Sequence, residues 1–438
     1  MNSYKFTLKD YKAIKEAEID LNGITVLAGE NGAGKSTITR WMYYLVEVIS
    51  EFEWYAYEEL RNDLFSILSD YRMATFDARI NDNGIAASVN KWRLQFSQID
   101  FNEEDAVLRQ IEEAKDIIVK VADFVANNVS KRNRLGYRFM RLMTYWEIND
   151  IEHFDRDSFI ERHVGRIDEV YNDYVTKVQD RSLGYLYEYV RQHHDDSYRL
   201  PVSNSIQLYE DKVPILEKKI FGHLFGLNRA IYVDTPMSIG AEAFDNQRWR
   251  NLSELLEKRD NVSLTPEMKK MLLRIQRIIH GSIKNKADDF DDEIRYVRED
   301  KLDIPLMEAA TGIKSFAYII RLLENGFLNK NTLLIIDEPE AHLHPQWVVE
   351  FAHVLVLLTK ELGVRVLIAS HNPDMVAAIQ SIGEKEGLKD AITFYQAYPT
   401  EENKFEYKYK NLGFEISEIF QSFNIALSRI KDYGKFAD

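Results

Sequence analysis

The sequence of 438 residues contains no cysteine. This absence excludes disulfides, cysteine-ligated zinc and cysteine-ligated iron–sulfur clusters. There is also no run of about 18 apolar residues, so no membrane-spanning helix is predicted. Residues 1–5 lack the apolar stretch of a secretory leader, and we therefore expect a cytoplasmic protein that does not contact membranes.

Basic residues are fewer than acidic residues in this sequence. The chain has 56 lysine and arginine residues against 71 aspartate and glutamate residues, and its formal net charge is −15. Such a charge disfavours unassisted binding along a nucleic acid backbone, so any contact with DNA or RNA is expected on a local basic surface or through a partner. The length predicts two or three domains, and the 45% hydrophobic content can supply a sizeable core.

A phosphate-binding loop is the most specific motif in the sequence. Residues 29–37 read GENGAGKST and satisfy the pattern G-x-x-x-x-G-K-[ST] without substitution. The loop lies between a strand-like run at 24–28 and a run with helical spacing at 38–48, which is the context that the pattern requires. Its backbone N–H groups and the positive end of the helix can cradle phosphate oxygens. The residues expected to bind ATP are Asn31, Gly32, Ala33, Gly34, Lys35, Ser36 and Thr37.

Two side chains of this loop have predicted chemical roles. Lys35 can reach the β- and γ-phosphates and act in catalysis, and the Ser36 hydroxyl can bind Mg²⁺. A glycine-rich turn with a purely structural purpose is the alternative, which the full spacing disfavours. The sequence therefore predicts a nucleoside triphosphate site that requires Mg²⁺.

A buried strand with an acidic end provides the second motif. The run TLLII at 332–336 is typical of a strand buried on both faces, and it is followed by Asp337, Glu338, Pro339 and Glu340. Asp337 is predicted to give Mg²⁺ its second protein contact. Glu338 is predicted to accept a proton from the attacking water or to orient it. The alternative is an acidic turn of the kind that often ends a strand.

A third strand-like run, at 364–369, precedes the sequence SHNP. Its histidine, His371, is expected at the same sheet edge as Asp337 and within reach of a γ-phosphate. A structural histidine at a strand end is the alternative. The order of the motifs along the chain favours a functional role.

The motifs GENGAGKST, TLLIIDEPEAHLHP and VLIASHNP resemble those of the ATP-binding-cassette superfamily in its non-transporter branch, which includes SMC-like, RecF-type and OLD-type ATPases. The wording EPExHLHP and SHNP points to the OLD and RecF side. The resemblance covers about the first 50 residues and roughly residues 300–375. It implies an α/β fold, a P-loop ABC-type ATPase head with a mixed sheet and flanking helices, interrupted here by a mainly helical insertion. Nothing after His371 matches the acidic cluster of the TOPRIM nuclease that OLD proteins carry.

The same family carries a signature loop, with which one subunit closes over the ATP that the other subunit holds. The matching stretch is AATGIKS at 309–315, ahead of a helical run at 316–325. The resemblance implies that Thr311, Gly312 and Lys314 bind the nucleotide across a homodimer or a higher even oligomer.

Two residues of this stretch depart from the family pattern. Ala310 stands where the family usually has serine, and Ile313 where it usually has glutamine or glutamate. An ordinary helix N-terminus is therefore the alternative to a signature loop. For the family's Q-loop glutamine, Gln95 is only a candidate.

The motif positions predict three parts. These are an N-terminal ATPase lobe with the phosphate loop at 1–102, a helical insertion at 103–205, and a C-terminal ATPase lobe with the signature loop, the Asp337 strand and His371 at 206–438. Strands at 75–80, 84–89 and 92–96 are predicted to form an antiparallel sheet beside the nucleotide. We further expect a long helix from 103, a hairpin of 391–395 with 404–409, and a final amphipathic helix that presents Ile416, Ile419, Phe420, Phe423 and Leu427 on one face.

Clusters in the middle of the chain have competing interpretations. Arg134, Arg138 and Arg141 share a helical face near aromatic residues, and they could bind nucleic acid or an acidic partner, or form a solvated polar face. Residues 193–196, HHDD, could hold a metal, although contiguous residues rarely converge on one ion and a loop is preferred. The acidic run at 288–293 is expected to be solvated.

The preferred interpretation of function is an ATPase dimer whose ATP-driven closure controls a partner. The resemblance implies that this partner is an effector, a nuclease or toxin, in bacterial defence against phage. By resemblance, a RecF- or SMC-like DNA-repair ATPase that acts directly on DNA is one alternative. A nucleotide-gated scaffold with little turnover is another. A nuclease, resting only on residues 193–196, is the weakest.

Overall fold

A computed structural model describes residues 2–77, 84–101, 103–128, 154–193, 201, 205–234, 247–257, 263–287, 292–341 and 343–421. The strands are β1 Tyr4–Tyr11, β2 Ile14–Leu21, β3 Ile24–Ala28, β4 Ile206–Glu210, β5 Val213–Pro214, β6 Arg229–Val233, β7 Gly281–Ala287, β8 Asp292–Arg298, β9 Asp303–Pro305, β10 Thr332–Asp337, β11 Arg365–Ser370, β12 Ile392–Pro399 and β13 Tyr407–Gly413. The helices are α1 Lys35–Asp77, α2 Ile85–Phe96, α3 Glu104–Asn128, α4 Arg156–Asp180, α5 Leu183–His193, α6 Gln247–Glu257, α7 Pro266–Ile278, α8 Thr311–Glu324, α9 Pro345–Leu362 and α10 Pro373–Lys385.

Most of the strands form one mixed sheet, in the order β5-β4-β1-β2-β13-β12-β3-β11-β10-β6. The consecutive strands β12, β3, β11, β10 and β6 run parallel, whereas β1 is antiparallel to both of its neighbours. The strands β7, β8 and β9 form a separate antiparallel sheet. The predicted α/β fold class with a mixed sheet is therefore confirmed.

Three of the parallel strands end side by side. Ala28 at the end of β3 pairs with Ser370 at the end of β11, and Asp337 at the end of β10 pairs with Ala369. Every residue of these three strands is buried, as expected for strands covered by helices on both faces. The residues that follow β3, β10 and β11 therefore meet at one edge of the sheet, as predicted.

Helices α7, α8, α9 and α10 contribute apolar side chains to the core around this sheet. Phe316 of α8, for example, packs edge-on against Phe351 of α9, with ring centroids 5.3 Å apart. The helices that follow β10 and β11 begin with proline after the capping residues His344 and Asn372, whose side chains accept backbone hydrogen bonds. These start signals keep the connections from the strands short, so the strand ends stay close to the helix N-termini.

The chain divides into two compact units, Met1–Ser50 with Ser182–Asp438, and Glu51–Arg181. The second unit has its own core, in which Leu64 of α1, Trp92 of α2 and Val121 of α3 are buried together. The predicted boundaries after residues 102 and 205 differ from these. At the first division, after Ser50, the reason is that α1 begins in the first unit and continues into the second, so no loop marks it. The second division, after Arg181, lies between α4 and α5.

The strands predicted at 75–80, 84–89 and 92–96 are wrong. Helix α1 continues to Asp77 and helix α2 occupies Ile85–Phe96, while residues 78–83 lie outside the described part. The buried residues of α2 are Ile85, Val89, Trp92 and Phe96, which recur at helical spacing. Short windows of this sequence fit both the helical and the strand period. The helix forms because it buries this one face in the core of the second unit.

Other predicted elements are confirmed. Helix α3 matches the long helix expected from residue 103, and β12 with β13 forms the expected hairpin, a few residues later at its second strand. Residues 417–421 are helical and Ile419 is buried, whereas Phe423 and Leu427 lie outside the described residues. None of the helices described has the length and apolar composition needed to cross a bilayer.

Candidate active site

The phosphate loop adopts a conformation that only glycine accepts readily. Gly32 and Gly34 have φ values of 84° and 91°, in the left-handed region. A Cβ atom on Gly34 would also lie 2.7 Å from Cγ1 of Ile14. The loop then passes directly into α1, where the N–H groups of Thr37 and Ile38 donate to Gly34 O at 3.0 and 3.1 Å. The N–H groups of the helix that precede these two remain available to an anion.

Lys35 is folded onto its own loop. Its Nζ donates to Gly29 O at 2.8 Å and to Glu30 O at 3.0 Å, and the residue is buried. Burial lowers the pKa of Lys35, and the nearby charges of Asp337, Glu338 and Glu340 oppose this shift. Lysine from the first motif and the carboxylates of the second are therefore neighbours, although roughly 300 residues separate them in the sequence.

One carboxylate oxygen of Asp337 accepts a hydrogen bond, and the other has no partner among the described residues. Its Oδ2 accepts a hydrogen bond from the Tyr232 hydroxyl at 3.1 Å, and the Ser36 hydroxyl lies near enough to the carboxylate to lower its pKa. Its Oδ1 is buried and has no hydrogen-bond partner among the described residues. A buried carboxylate oxygen without a partner, beside a hydroxyl, fits a hard divalent cation that prefers oxygen ligands. Asp337 and Ser36 could therefore hold Mg²⁺.

The described part of the chain offers no fuller metal site. Within it, no three histidine, aspartate or glutamate side chains are grouped so as to hold a metal ion. Magnesium usually takes one or two protein ligands and completes its octahedron with phosphate oxygens and water. The pair of Asp337 and Ser36 matches that mode and needs a bound phosphate to complete it.

Replacing Asp337 with asparagine should stabilise the nucleotide-free protein. Burial raises the pKa of Asp337 in the folded state, so keeping the carboxylate ionised at neutral pH lowers the free energy of unfolding. The gain should be absent below the ordinary pKa of an aspartate, grow as the pH rises from there to the raised pKa, and stay constant above it at about 1 kcal/mol, a common size for stabilising substitutions. Urea unfolding across this pH range measures it. A variant less stable than wild type at neutral pH would contradict the prediction.

Glu338 and His371 lie next to each other at the open side of the site. Glu338 Oε1 is 3.4 Å from His371 Nδ1, and each side chain is 46% exposed. The backbone of Glu338 has a φ of 52°, which is uncommon for a residue other than glycine, and its N–H donates to Ala369 O at 2.8 Å. The carboxylate is thus reachable by water and by a bound nucleotide, as a general base must be.

Two residues at the site were given no role from the sequence. Glu340 is buried and accepts hydrogen bonds from the Ser370 hydroxyl and the His371 N–H, at 2.9 and 3.1 Å. Tyr232, at the fourth position of β6, supports Asp337 and shares a contact with the Thr39 hydroxyl at 3.3 Å. The repeated acid in the run DEPE is a signal that could have pointed to Glu340. The role of Tyr232 depends on β6 lying beside β10, which has no sequence signal.

The predicted signature stretch forms the start of α8. Thr311 is the first residue of the helix, and the preceding Ala310 provides no side-chain cap. A Cβ atom on Gly312 would lie 2.8 Å from the Trp347 ring, so this position is sterically restricted to glycine. Lys314 is largely buried, and its ammonium group has no hydrogen-bond or ion-pair partner among the described residues. The start of α8 therefore leaves N–H groups and one cation for a ligand.

Within the described part of the chain, this stretch makes no polar contact with the phosphate loop. Among the described residues, no hydrogen bond or ion pair joins Thr311, Gly312 or Lys314 to residues 29–37. The predicted site residues thus fall into two groups within one chain. The first group surrounds Lys35 and Asp337, and the second occupies the start of α8.

Several candidates are left without a test. Gln95 lies on α2, in the compact unit that does not contain the phosphate loop. Arg134, Arg138 and Arg141 lie outside the described residues, as do residues 194–196 of the HHDD cluster. Most of the acidic run at 288–293 also lies outside them.

Comparison with known proteins agrees with the site. Residues 1–376 match the model of the AAA ATPase domain family. The probable ATPase of retron Vc95 from Vibrio cholerae serotype O1 biovar El Tor is 22% identical over 404 residues, which cover 86% of this chain and 71% of that protein.

Solved structures similar to this chain include SMC heads. The Smc head domain of Pyrococcus furiosus, bound to the C-terminal domain of ScpA, has a TM-score of 0.35 at 12% identity and covers 98% of this chain and 100% of its own. The SMC head domain from Thermotoga maritima has a TM-score of 0.34 at 10% identity, covering 94% and 99%. The fold assignment rests on the sheet order and the motif positions described above.

The region that matches the family model contains the phosphate loop, Asp337, Glu338 and His371. These are the residues that the folded chain gathers at one sheet edge. The chain therefore belongs to the AAA ATPase domain family and is an ATPase.

Proposed function

We propose that this ATPase works as a head-to-tail dimer whose closure on ATP controls a partner effector, a nuclease or toxin, in bacterial defence against phage. The observation that carries the dimer is the division of the site residues into two groups. One group surrounds Lys35 and Asp337, and the other, with Gly312 and Lys314, opens α8. No hydrogen bond or ion pair joins them among the described residues of one chain. A two-fold related second copy would bring the groups together twice, once at each ATP.

In this dimer the phosphate loop and Lys35 hold the triphosphate. The N–H groups of the loop would donate to phosphate oxygens. The Lys35 ammonium, which now donates to Gly29 O and Glu30 O, would donate to phosphate oxygens instead. Ser36 and Asp337 would hold Mg²⁺, which when bound neutralises charge on the β- and γ-phosphates. From the opposite copy, Thr311, Gly312 and Lys314 would contact the γ-phosphate.

Glu338 would then act as the base for hydrolysis. It takes a proton from the attacking water, whose oxygen forms a bond to the γ-phosphorus while the bond to the bridging oxygen of ADP breaks. The products are ADP and inorganic phosphate. His371 directs Nδ1 toward Glu338, so Nε2 is the ring nitrogen that would donate its N–H to a γ-phosphate oxygen when it is protonated.

The retron relative supports the proposed effector and the role in defence. That protein is a probable ATPase of a retron. The motif wording of this chain resembles OLD-type ATPases, but it has no match to their TOPRIM cluster. A chain with the ATPase motifs and without that nuclease motif would require a separate protein to deliver the effect.

Mixing two inactive variants tests the shared site. Lys35→Ala removes the phosphate-loop lysine and Lys314→Ala removes the lysine of α8, so each variant alone should be nearly inactive. In a head-to-tail heterodimer both lesions fall in one site, and the other site is complete. An equimolar mixture should therefore recover about one quarter of the wild-type ATPase rate, because half of the random dimers are mixed and each has one complete site.

The control is a mixture of two samples of Lys35→Ala, which should recover nothing. A mixture of Lys35→Ala with Lys314→Ala that stays inactive would contradict the shared site. Full activity of Lys314→Ala alone would remove α8 from the site altogether. Either result leaves the family assignment untouched and rejects the dimer.

A further inference from the structure

Glu340 has no assigned role, yet it is the most enclosed acid at the site. Its side chain is 5% exposed, whereas those of Glu338 and His371 are each 46% exposed. Two backbone bonds fix the turn around it, from Ala341 N to Glu338 O at 2.9 Å and from Leu343 N to Glu340 O at 3.0 Å. A carboxylate in such a place is costly unless its partners need the charge.

All of the described partners of this carboxylate belong to the end of β11 and the residue after it. Oε1 of Glu340 accepts a hydrogen bond from Ser370 Oγ at 2.9 Å and from the His371 N–H at 3.1 Å. The same Oε1 lies 3.4 Å from His371 Nδ1. The Ser370 oxygen in turn accepts the N–H of Asn372 at 3.1 Å. Glu340 thus accepts a hydrogen bond from the backbone of His371 and lies within ion-pair distance of its ring.

The imidazole has a second acid on the same nitrogen. Glu338 Oε1 is also 3.4 Å from His371 Nδ1, so two carboxylates lie within ion-pair distance of the same ring nitrogen. Glu338 is half exposed and begins the turn, whereas Glu340 is enclosed and anchored by two further hydrogen bonds. Of the two, only Glu338 is free to turn toward water without losing other described contacts.

We propose that Glu340 is the positioning residue of His371. Its carboxylate keeps a proton on Nδ1 and the ring in place, so that Nε2 faces the nucleotide and donates to a phosphate oxygen when it also carries a proton. Glu338 is then released to act on water. This inference rests on the proposed roles of Glu338 and His371. It assigns to the enclosed acid the task of orientation and to the exposed acid the task of proton transfer.

Glu340→Gln is the sharpest test. Glutamine keeps the size of the side chain, and its carbonyl oxygen can still accept hydrogen bonds from the Ser370 hydroxyl and the His371 N–H. Loss of the charge should lower kcat by about 10- to 100-fold, the usual effect of removing a group that orients a ligating histidine, while KM for ATP changes less than about 3-fold. In a His371→Ala background the same change should have no further effect on kcat, because there is no ring left to orient.

A readout independent of turnover is the ¹⁵N spectrum of the histidine side chains. In the nucleotide-free wild type, His371 should show a protonated Nδ1, and Glu340→Gln should shift its signals toward a mixture of tautomers. The His371→Ala protein identifies these signals by their loss. Thermal melting checks that Glu340→Gln remains folded.

Glu210→Gln is the matched control. Glu210 is a buried acid of the same sheet that accepts a hydroxyl, from Tyr4 at 2.5 Å, and two backbone N–H groups, and it touches no site residue. This variant should lose stability and keep its kcat.

The outcomes separate the inference from the function on which it rests. If Glu340→Gln keeps kcat within about 2-fold while His371→Ala loses it, Glu340 does not orient the histidine. If Glu340→Gln lowers kcat as much without His371 as with it, or leaves the ¹⁵N signals unchanged, the role is also rejected. If His371→Ala itself keeps kcat, the proposed function of His371 fails first and the inference falls with it.

Discussion

Glu338→Gln should lower the rate of ATP hydrolysis by about 10²- to 10⁴-fold and leave ATP binding intact. The carboxylate follows the strand end that carries Asp337 and is reachable by solvent, beside His371. An amide of the same shape cannot take a proton from water, while the phosphate loop and Lys35, which bind the nucleotide, are unchanged. Phosphate release under single-turnover conditions measures the chemistry, and a fluorescent ATP analogue measures the binding.

The same variant should also accumulate the closed dimer. If ATP closes two copies and hydrolysis opens them, a protein that binds without hydrolysing will sediment as a dimer in the presence of Mg²⁺ and ATP and as a smaller species without them. Produced from its native locus, the trapped dimer should retain the effector during purification.

Glu384→Gln is the control for the loss of an acid. Glu384 is an exposed acid on α10, paired with Lys389, and its replacement should change neither rate nor assembly. A Glu338→Gln protein that hydrolyses ATP at the wild-type rate would show that another group, or none, serves as base.

Lys35→Met should weaken ATP binding by roughly 10- to 100-fold, the range expected when a hydrogen-bonded charge is removed from a phosphate. Lys35 is held at the loop by bonds to Gly29 O and Glu30 O, so its ammonium is already placed where the phosphates will lie. Methionine keeps the length of the side chain and removes the charge. Titration calorimetry with Mg²⁺ and ATP measures the change.

The weaker ATP binding of Lys35→Met should not be caused by unfolding. Burial lowers the pKa of Lys35, which means that the charged form is disfavoured in the folded nucleotide-free protein. The apolar replacement should therefore have a free energy of unfolding at neutral pH no lower than that of wild type. This separates a binding defect from misfolding.

Lys410→Met serves as the comparison. Lys410 forms an exposed ion pair with Glu418, and its replacement should leave affinity unchanged. Undiminished ATP affinity in Lys35→Met would contradict the assignment of the phosphate loop.

The sequence could predict the edge of the site because its signals are local. The phosphate loop is a contiguous motif between a strand and a helix, and β10 and β11 are continuous apolar runs that parallel sheets require. Parallel strands then place the residues after their carboxyl ends together. Asp337, Glu338 and His371 followed from these rules without knowledge of the strand order.

The parts that could not be predicted depend on tertiary packing. Tyr232 reaches Asp337 only because β6 pairs with β10, with Val233 opposite Ile336. Glu340 could not be assigned a role from the sequence, because its hydrogen-bond partners lie thirty and more positions later in the chain.

The error at α2 has a different origin. Ile85, Val89, Trp92 and Phe96 form a helical face that becomes clear only when the whole segment is considered, and short windows within it also suit strands. The first division between the compact units, after Ser50, differs from the predicted boundary at residue 102 for a related reason. Helix α1 crosses it without a break, so composition and turn residues give no sign of a division.

The structure of Glu338→Gln with Mg²⁺ and ATP is the most direct measurement of the central claim, that motifs from opposite ends of the chain surround one triphosphate. We expect the Lys35 ammonium within hydrogen-bond distance of the β- and γ-phosphates, and Mg²⁺ bound by Ser36 and Asp337. A nucleotide bound away from the carboxyl ends of β3 and β10, or a metal that Asp337 does not contact, would contradict it.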